Sequence, residues 1–196
     1  IKKTINGNIY LNEKVVKVVR KKNNIIIKSQ NMTKEFDKVI FATHADDTMK
    51  LIENLSSLEK AILTKCRYET NQIIVHQDYK LMPTNKNVWS SWNVLSNNSH
   101  SDIKNKICVT YWINRLQNLV TKDPILVTLN PSVDIKIDKN KILKKIILKH
   151  PLLTKEHQYL SKQVNNLQGN NMTYYTGAWL GYGFHEDGLK ASISIV

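Results

Sequence analysis

A chain of 196 residues with 41% hydrophobic and 23% charged positions can bury one ordinary core or two small ones, which excludes a disordered or fibrous protein. Its formal net charge of +13 would ordinarily point to nucleic acid or an anionic surface. That charge rests on lysine spread among Asn and Ile, with Arg20, Arg67 and Arg115 as the arginines and no basic stripe interleaved with aromatics, so nucleic acid is not an expected partner.

The first residues, Ile1-Lys2-Lys3-Thr4-Ile5-Asn6-Gly7, lack the apolar centre of a signal peptide. No later run approaches the roughly 20 apolar residues of a membrane span. Cys66 and Cys108 stand singly in apolar surroundings and suggest neither a disulfide framework nor a metal site. A reducing, cytoplasmic setting is expected, with peripheral membrane contact as the variant that the charge allows. Ile1 in place of an initiating methionine, and a terminal run that still reads as helix, lead us to expect a piece of a longer protein.

In chain order, Val15 to Val19 and Asn24 to Lys28 read as two strands joined by a polar turn, a hairpin. Phe36 to Ala42 reads as one strand, and its Val39-Ile40-Phe41-Ala42 is continuously apolar, as burial on both faces would require. A helix follows, with Thr43 as its cap, Asp46 in the first turn and Met49, Ile52 and Leu55 at helical spacing. His44 there is expected to cap or pack, not to catalyse. Leu58 to Lys65 reads as a second short helix.

From Tyr68 the pattern changes to longer strands, Tyr68 to Gln77, Val88 to Val94, Ile107 to Trp112 and Pro124 to Leu129, which short turns would join into an antiparallel sheet. Trp89, Trp92 and Trp112 fall on these strands and predict one aromatic face, either a core or the wall of an apolar substrate cavity. Lys144 to Lys149 is a further strand that His150-Pro151 breaks, and Thr154 to Asn165 reads as a helix. His76 and His150 have no partner visible from sequence.

The C-terminal stretch is the densest in function. Five of the six glycines lie from Gly169 onward, and Tyr174-Tyr175-Thr176 reads as a strand, Gly177 to Gly183 as a loop that tolerates positive φ, and Leu189 to Val196 as a helix capped by Asp187. A strand, a glycine loop and a helix N-terminus together suit a phosphate or other anion. His185-Glu186 could be imagined as metal ligands, but no second ligand cluster accompanies the pair and no metal is expected.

These elements predict a discontinuous arrangement. Residues 1–55 and 165–196 supply parts of an α/β domain, and residues 56–164 form an inserted substrate domain built on an antiparallel sheet.

The runs Asp37-Lys-Val-Ile-Phe-Ala-Thr-His-Ala-Asp-Asp-Thr-Met-Lys-Leu51, Tyr68-Glu-Thr-Asn-Gln-Ile-Ile-Val-His76 and Trp89-Ser-Ser-Trp-Asn93 carry a family resemblance. Val109-Thr-Tyr-Trp-Ile-Asn-Arg-Leu-Gln117 and Gly177-Ala-Trp-Leu-Gly-Tyr-Gly-Phe-His-Glu-Asp-Gly-Leu189 extend it over nearly the whole chain. Together they resemble the flavin-containing amine oxidoreductase superfamily. The resemblance is narrower to its NAD/FAD-binding branch, which also supplies the N-terminal region of plant cyclopropane fatty acid synthases. It implies the C-terminal half of a larger flavoprotein: part of a Rossmann-like FAD/NAD(P)-binding domain with an inserted antiparallel substrate domain. The Gly-x-Gly-x-x-Gly turn is absent from this chain, and its partner would be the missing N-terminal FAD-binding half.

The same resemblance assigns residues. Val15 matches the valine whose backbone meets the adenine ring, and Ala42 the small residue ending the strand beneath FAD. Gly177 and Ala178 match the loop passing the ribityl and phosphate region, where many relatives carry an acidic residue in place of Ala178. His185, Glu186, Asp187 and Gly188 match the helix start near the flavin pyrimidine oxygen. Phe184 falls where amine-oxidising relatives have an aromatic cage wall, and Gln72 where they have a lysine near flavin N5. A glutamine there argues against amine oxidation and for hydride abstraction from an apolar, lipid-like substrate. The competing class is a non-catalytic lipid- or partner-binding module on a vestigial flavoprotein fold.

Overall fold

A computed structural model of the chain describes residues 4–95, 107–131 and 135–195. Val196, in the expected last helix, lies outside them. The strands are β1 (Val15–Arg20), β2 (Ile25–Ser29), β3 (Thr33–Phe36), β4 (Val39–Phe41), β5 (Tyr68–His76), β6 (Trp92–Leu95), β7 (Cys108–Trp112), β8 (Leu126–Leu129), β9 (Ile142–Pro151) and β10 (Thr173–Tyr175). The helices are α1 (Ala45–Leu51), α2 (Ser57–Leu63), α3 (Ile113–Gln117), α4 (Leu160–Asn165) and α5 (His185–Ile193). No helix among the described residues is long and apolar enough to cross a membrane. The fold is mixed helix and sheet, with two antiparallel sheets and a short parallel pair.

The chain divides into two compact units, residues 1–68 with 151–196, and residues 69–150. The sequence boundaries at 55/56 and 164/165 thus move to 68/69 and 150/151. The reason is packing: α2 and α4 place Ile62, Leu63, Leu160 and Val164 in the same buried cluster as Val18, Phe41, Tyr175 and Trp179.

In the first unit, β1, β2 and β3 form an antiparallel meander, closed after β1 by the Lys21 amide donating to the Asn24 carbonyl at 2.9 Å. The expected single strand from Phe36 to Ala42 is two strands, because β3 ends at Phe36 and Asp37-Lys38 interrupts the ladder before β4. β4 is not buried on both faces. Val39 and Phe41 enter the core while Ile40 stays 58% exposed, since β10 is its sheet neighbour and the core covers one side.

Thr43 does not cap α1. Its hydroxyl bonds Thr48 Oγ1 at 2.7 Å, and His44 occupies the cap position without a side-chain cap bond. The helix stops at Leu51 because Ile52 turns extended and bridges Val18, so Ile52 and Leu55 lie beyond it. α2 starts with a reciprocal capping box in which the Glu59 amide donates to Ser56 Oγ at 3.2 Å and the Ser56 amide to Glu59 Oε2 at 2.8 Å.

In the second unit the strand order is β6-β7-β8-β5-β9, with β6/β7, β7/β8 and β8/β5 antiparallel. Its aromatics do not share a face. Trp89 lies before β6, meets Trp112 edge-on at 5.4 Å and donates its indole N–H to the Pro83 carbonyl at 2.8 Å. Trp92 instead meets Tyr111 at 5.9 Å and is 58% exposed. Tyr111 and Trp112 are consecutive on β7 and so point to opposite faces. β9 also continues through His150 to Pro151, because proline at a strand end sacrifices no central ladder bond.

Candidate functional site

β4 and β10 run parallel, in register from Thr173 opposite Val39 to Tyr175 opposite Phe41, and the Thr176 amide continues the ladder to the Phe41 carbonyl at 2.9 Å. Their carboxyl ends therefore lie side by side. In open α/β sheets this is where ligands bind. Ala42 leaves β4 exposed, and Gly177 leaves β10 half-buried.

Gly177 is required by geometry. Its φ of 142° and ψ of 161° belong to a region that side chains avoid, and a Cβ there would stand 2.7 Å from the Trp179 ring. Without that Cβ, Trp179 folds back and its indole N–H donates to the Thr43 carbonyl at 3.1 Å, tying the two strand ends together. Ala178 to Leu180 then form a single 3₁₀ turn, and Ala178 lies beside Gly188, where an added Cβ would meet the Ala178 nitrogen at 3.5 Å.

The last helix starts earlier than expected. It begins at His185 with Phe184 in the cap position, and Asp187 is its third residue. The Asp187 carboxylate reaches back to accept the Phe184 amide at 2.9 Å and the Tyr182 amide at 3.1 Å, so it caps the helix from within. Gly181 makes room for this: a Cβ there would lie 2.5 Å from the Asp187 carboxyl carbon. His157 braces the same loop, its Nε2 standing 3.0 Å from the Gly181 carbonyl, which can only accept. That assigns the proton to Nε2.

His185 and Glu186 are exposed and occupy the first two helical positions, where backbone amides have no intrahelical acceptor. Phe184 is 61% exposed at the same end. The structure thus groups Ala42, Gly177, Ala178, Phe184 and His185 to Gly188 around two strand ends and one helix start.

Two candidate residues lie elsewhere. Val15 is half-buried on β1 and helps line a cavity of about 250 Å³ with Tyr10, Ile27, Met32, Lys34 and Phe36. This apolar cavity sits on the three-stranded meander, not on the tryptophan-bearing sheet. Gln72 belongs to the other unit, exposed on β5, with its amide donating to Asn130 Oδ1 at 3.2 Å and its carbonyl accepting the Asn130 amide at 2.8 Å.

Beneath the site lies a buried ionic group that sequence reasoning missed. The Arg20 guanidinium on β1 forks onto both oxygens of Glu59 on α2 and reaches the Asn54 carbonyl, while the Tyr175 hydroxyl donates to Glu59 Oε1 at 2.6 Å. The side chains of Arg20 and Glu59 are 4% and 3% exposed. Burial alone would raise the Glu59 carboxyl, but bonds from Arg20, Tyr175 and Ser56 outweigh it and hold it at about 2. Burial and the neighbouring carboxylate push the Tyr175 phenol up. Partners 39 and 116 positions apart leave no local pattern, and the Ser56-x-x-Glu59 capping box was the available clue.

At the start of α1, ligand atoms of His44, Asp46 and Asp47 come within 4.8 Å of one another. Lys50 already supplies positive charge there, 3.0 Å from Asp47 and 3.7 Å from Asp46, and the His44 ring stacks on Tyr68 at 4.6 Å. The cluster is an ion-paired helix start.

No protein-family profile matches the chain, and no curated protein sequence does. Among solved structures it is similar to a CLA-producing fatty acid isomerase from P. acnes, with a TM-score of 0.68 and 12% identity over 99% of this chain and 49% of the other. A protein assigned as a protoporphyrinogen oxidase, from Exiguobacterium sp. 255-15, matches with a TM-score of 0.57 and 10% identity over 93% and 45%. A putrescine oxidase redesigned in its cofactor binding matches with a TM-score of 0.55 and 8% identity over 97% and 48%. The chain thus spans about half the length of each. It shares a fold with these three proteins, and at these identities the fold is what is shared.

Proposed function

We propose that this chain is the C-terminal portion of an FAD-dependent oxidoreductase that abstracts hydride from an apolar, lipid-like substrate. The observation that carries the reading is the junction of β4, β10 and α5. Two parallel strands end side by side, a glycine that excludes any side chain ties them together, and a nine-residue helix opens beside them with its first amides unclaimed. The fold likeness supports it.

The residues fit a flavin. The amides of His185 and Glu186, at the positive end of the α5 dipole, suit an oxygen that gains negative charge. Exposed Ala42 and half-buried Gly177, which has no side chain, leave the strand ends open to a flat ring, and Ala178 adds no carboxylate of its own. Val15, on its separate cavity, suits the adenine end. Bound FAD supplies two-electron acceptance; the chain supplies orientation, helix-end amides and an apolar approach. Asp187 is committed to the loop amides, which keeps its charge within the cap. The family resemblance sets Gln72 where amine-oxidising relatives have a lysine, and its uncharged side chain favours hydride abstraction over amine chemistry.

The test is spectroscopic. The complete protein is expected to purify yellow with a flavin absorbance spectrum, and the chain alone to bind FAD weakly in a calorimetric titration, because the glycine-rich pyrophosphate turn is outside it. A colourless complete protein that takes up no FAD on titration overturns the reading in favour of a non-catalytic binding module.

A further inference from the structure

The outer edge of the five-stranded sheet combines features that the cofactor reading does not use. β9 is the last strand in the order, ten residues long, with Leu143 55%, Leu148 47% and Ile147 72% exposed. Lys136, Lys139, Lys141, Lys144 and Lys145 are also exposed along this edge and the turn leading into it. The one acidic residue between Lys136 and Lys149 is Asp138, whose Oδ1 accepts the Asn140 amide at 3.0 Å. Lys144 and Lys145 form no ion pair with another described residue. Strand alternation places Leu143, Lys145 and Ile147 on one face and Lys144 and Leu148 on the other.

We propose that this edge, Lys136 to Lys149, docks the protein on an anionic phospholipid surface. Lysines on an edge strand ordinarily blunt strand pairing. Blunting alone does not account for three large aliphatic side chains left in water among them. A nucleic acid would use the ammonium groups and leave Leu143, Ile147 and Leu148 exposed, whereas a bilayer takes both. The lysine heads meet lipid phosphates, and the aliphatic tips enter the acyl boundary between them. The surface lies wholly in the second unit and stands whether or not the protein holds FAD.

Sedimentation of the complete protein with large vesicles tests it, using phosphatidylcholine alone against phosphatidylcholine mixed with phosphatidylserine. Binding is expected to the mixed vesicles, weakening as salt rises. Lys144→Glu combined with Lys145→Glu should lower the partition by more than about tenfold, at roughly 1 kcal/mol for each lysine lost and more for charge reversal. Ile147→Asn should lower it several-fold while leaving the salt dependence in place. Circular dichroism and thermal midpoint guard against misfolding, and if the double Glu variant unfolds, Lys144→Gln with Lys145→Gln replaces it with a smaller expected loss. The proposal is overturned by wild-type protein that stays in the supernatant, by variants that sediment like wild type, or by retention on duplex DNA under conditions where vesicles fail. Flavin absorbance, read on the same samples, is expected to be unchanged by these substitutions, so the outcome separates from that of the cofactor test.

Discussion

The two units solve one problem in opposite ways. Each buries polar groups beneath a sheet, but the first uses charge and the second a neutral relay. In the first, Arg20, Glu59 and Tyr175 join β1, α2 and β10 through an ion pair removed from water. In the second, the Asp78 amide donates to His76 Nδ1 at 3.1 Å, which leaves Nε2 to carry the proton toward Thr128 Oγ1 at 2.7 Å. Thr128 in turn meets Thr110 Oγ1 at 2.8 Å. Burial pushes the His76 imidazole below its ordinary value, against the pull of Asp78, so the ring stays neutral. The difference teaches that an ionic centre carries a large penalty when one member is lost, while a neutral relay carries one hydrogen bond at a time.

The largest expected effect breaks the ionic side. Glu59→Gln leaves Arg20 buried without its counter-charge, and urea unfolding should show a loss of about 3–5 kcal/mol. A loss below about 1 kcal/mol would mean that the pair is no more than a surface bridge.

Next is the pH dependence that distinguishes the two centres. Glu59 is held at about 2 in the folded state against 4.5 ordinarily, so its stabilisation is complete above the ordinary value and disappears as pH falls toward 2. The size is on the order of 3 kcal/mol. His76 acts in a higher window. Above its ordinary value of 6.5 both states are neutral, and below it the unfolded chain takes up a proton that the buried ring resists, so stability declines as pH falls from there. Denaturation followed against pH should show a shallow decline starting near neutrality and a steeper one in acid. Glu59→Gln should shrink the acid limb and leave the decline near neutrality in place, the remaining acid loss coming from Glu13 and Asp78, whose carboxyls hydrogen bonds also hold below their ordinary value.

The smallest effect sharpens the neutral side. Thr128→Val keeps the shape of the side chain and removes the acceptor for His76, at a cost of about 1–3 kcal/mol by thermal unfolding. An unchanged midpoint would show that the relay contributes nothing.

Much of the local structure was legible because it depends on period and turn residues. The β1–β2 hairpin follows from alternating aliphatics around Arg20-Lys-Lys-Asn-Asn24, and the strand at Tyr174 from its aromatics. Other features were misread where a residue acts at a distance. Asp187 resembles a cap preceding its helix, yet it lies inside and reaches back across the space that Gly181 leaves empty. The tryptophans suggest one aromatic face, yet a start of β6 at Trp92 leaves Trp89 outside the strand and turns the other two to opposite sides.

By itself the sequence determined the order of elements, the antiparallel character of the inserted sheet and the glycine-rich turn ahead of a last helix, because each is encoded by neighbours in the chain. The tertiary structure alone decided that β4 and β10 lie parallel with Trp179 pinning their ends, and that α2 and α4 belong with the outer segments. It also decided that Arg20, Glu59 and Tyr175 meet out of water. Those contacts join residues far apart in the chain. Their energy comes from burial and from satisfying buried polar groups, which no periodicity in the chain records.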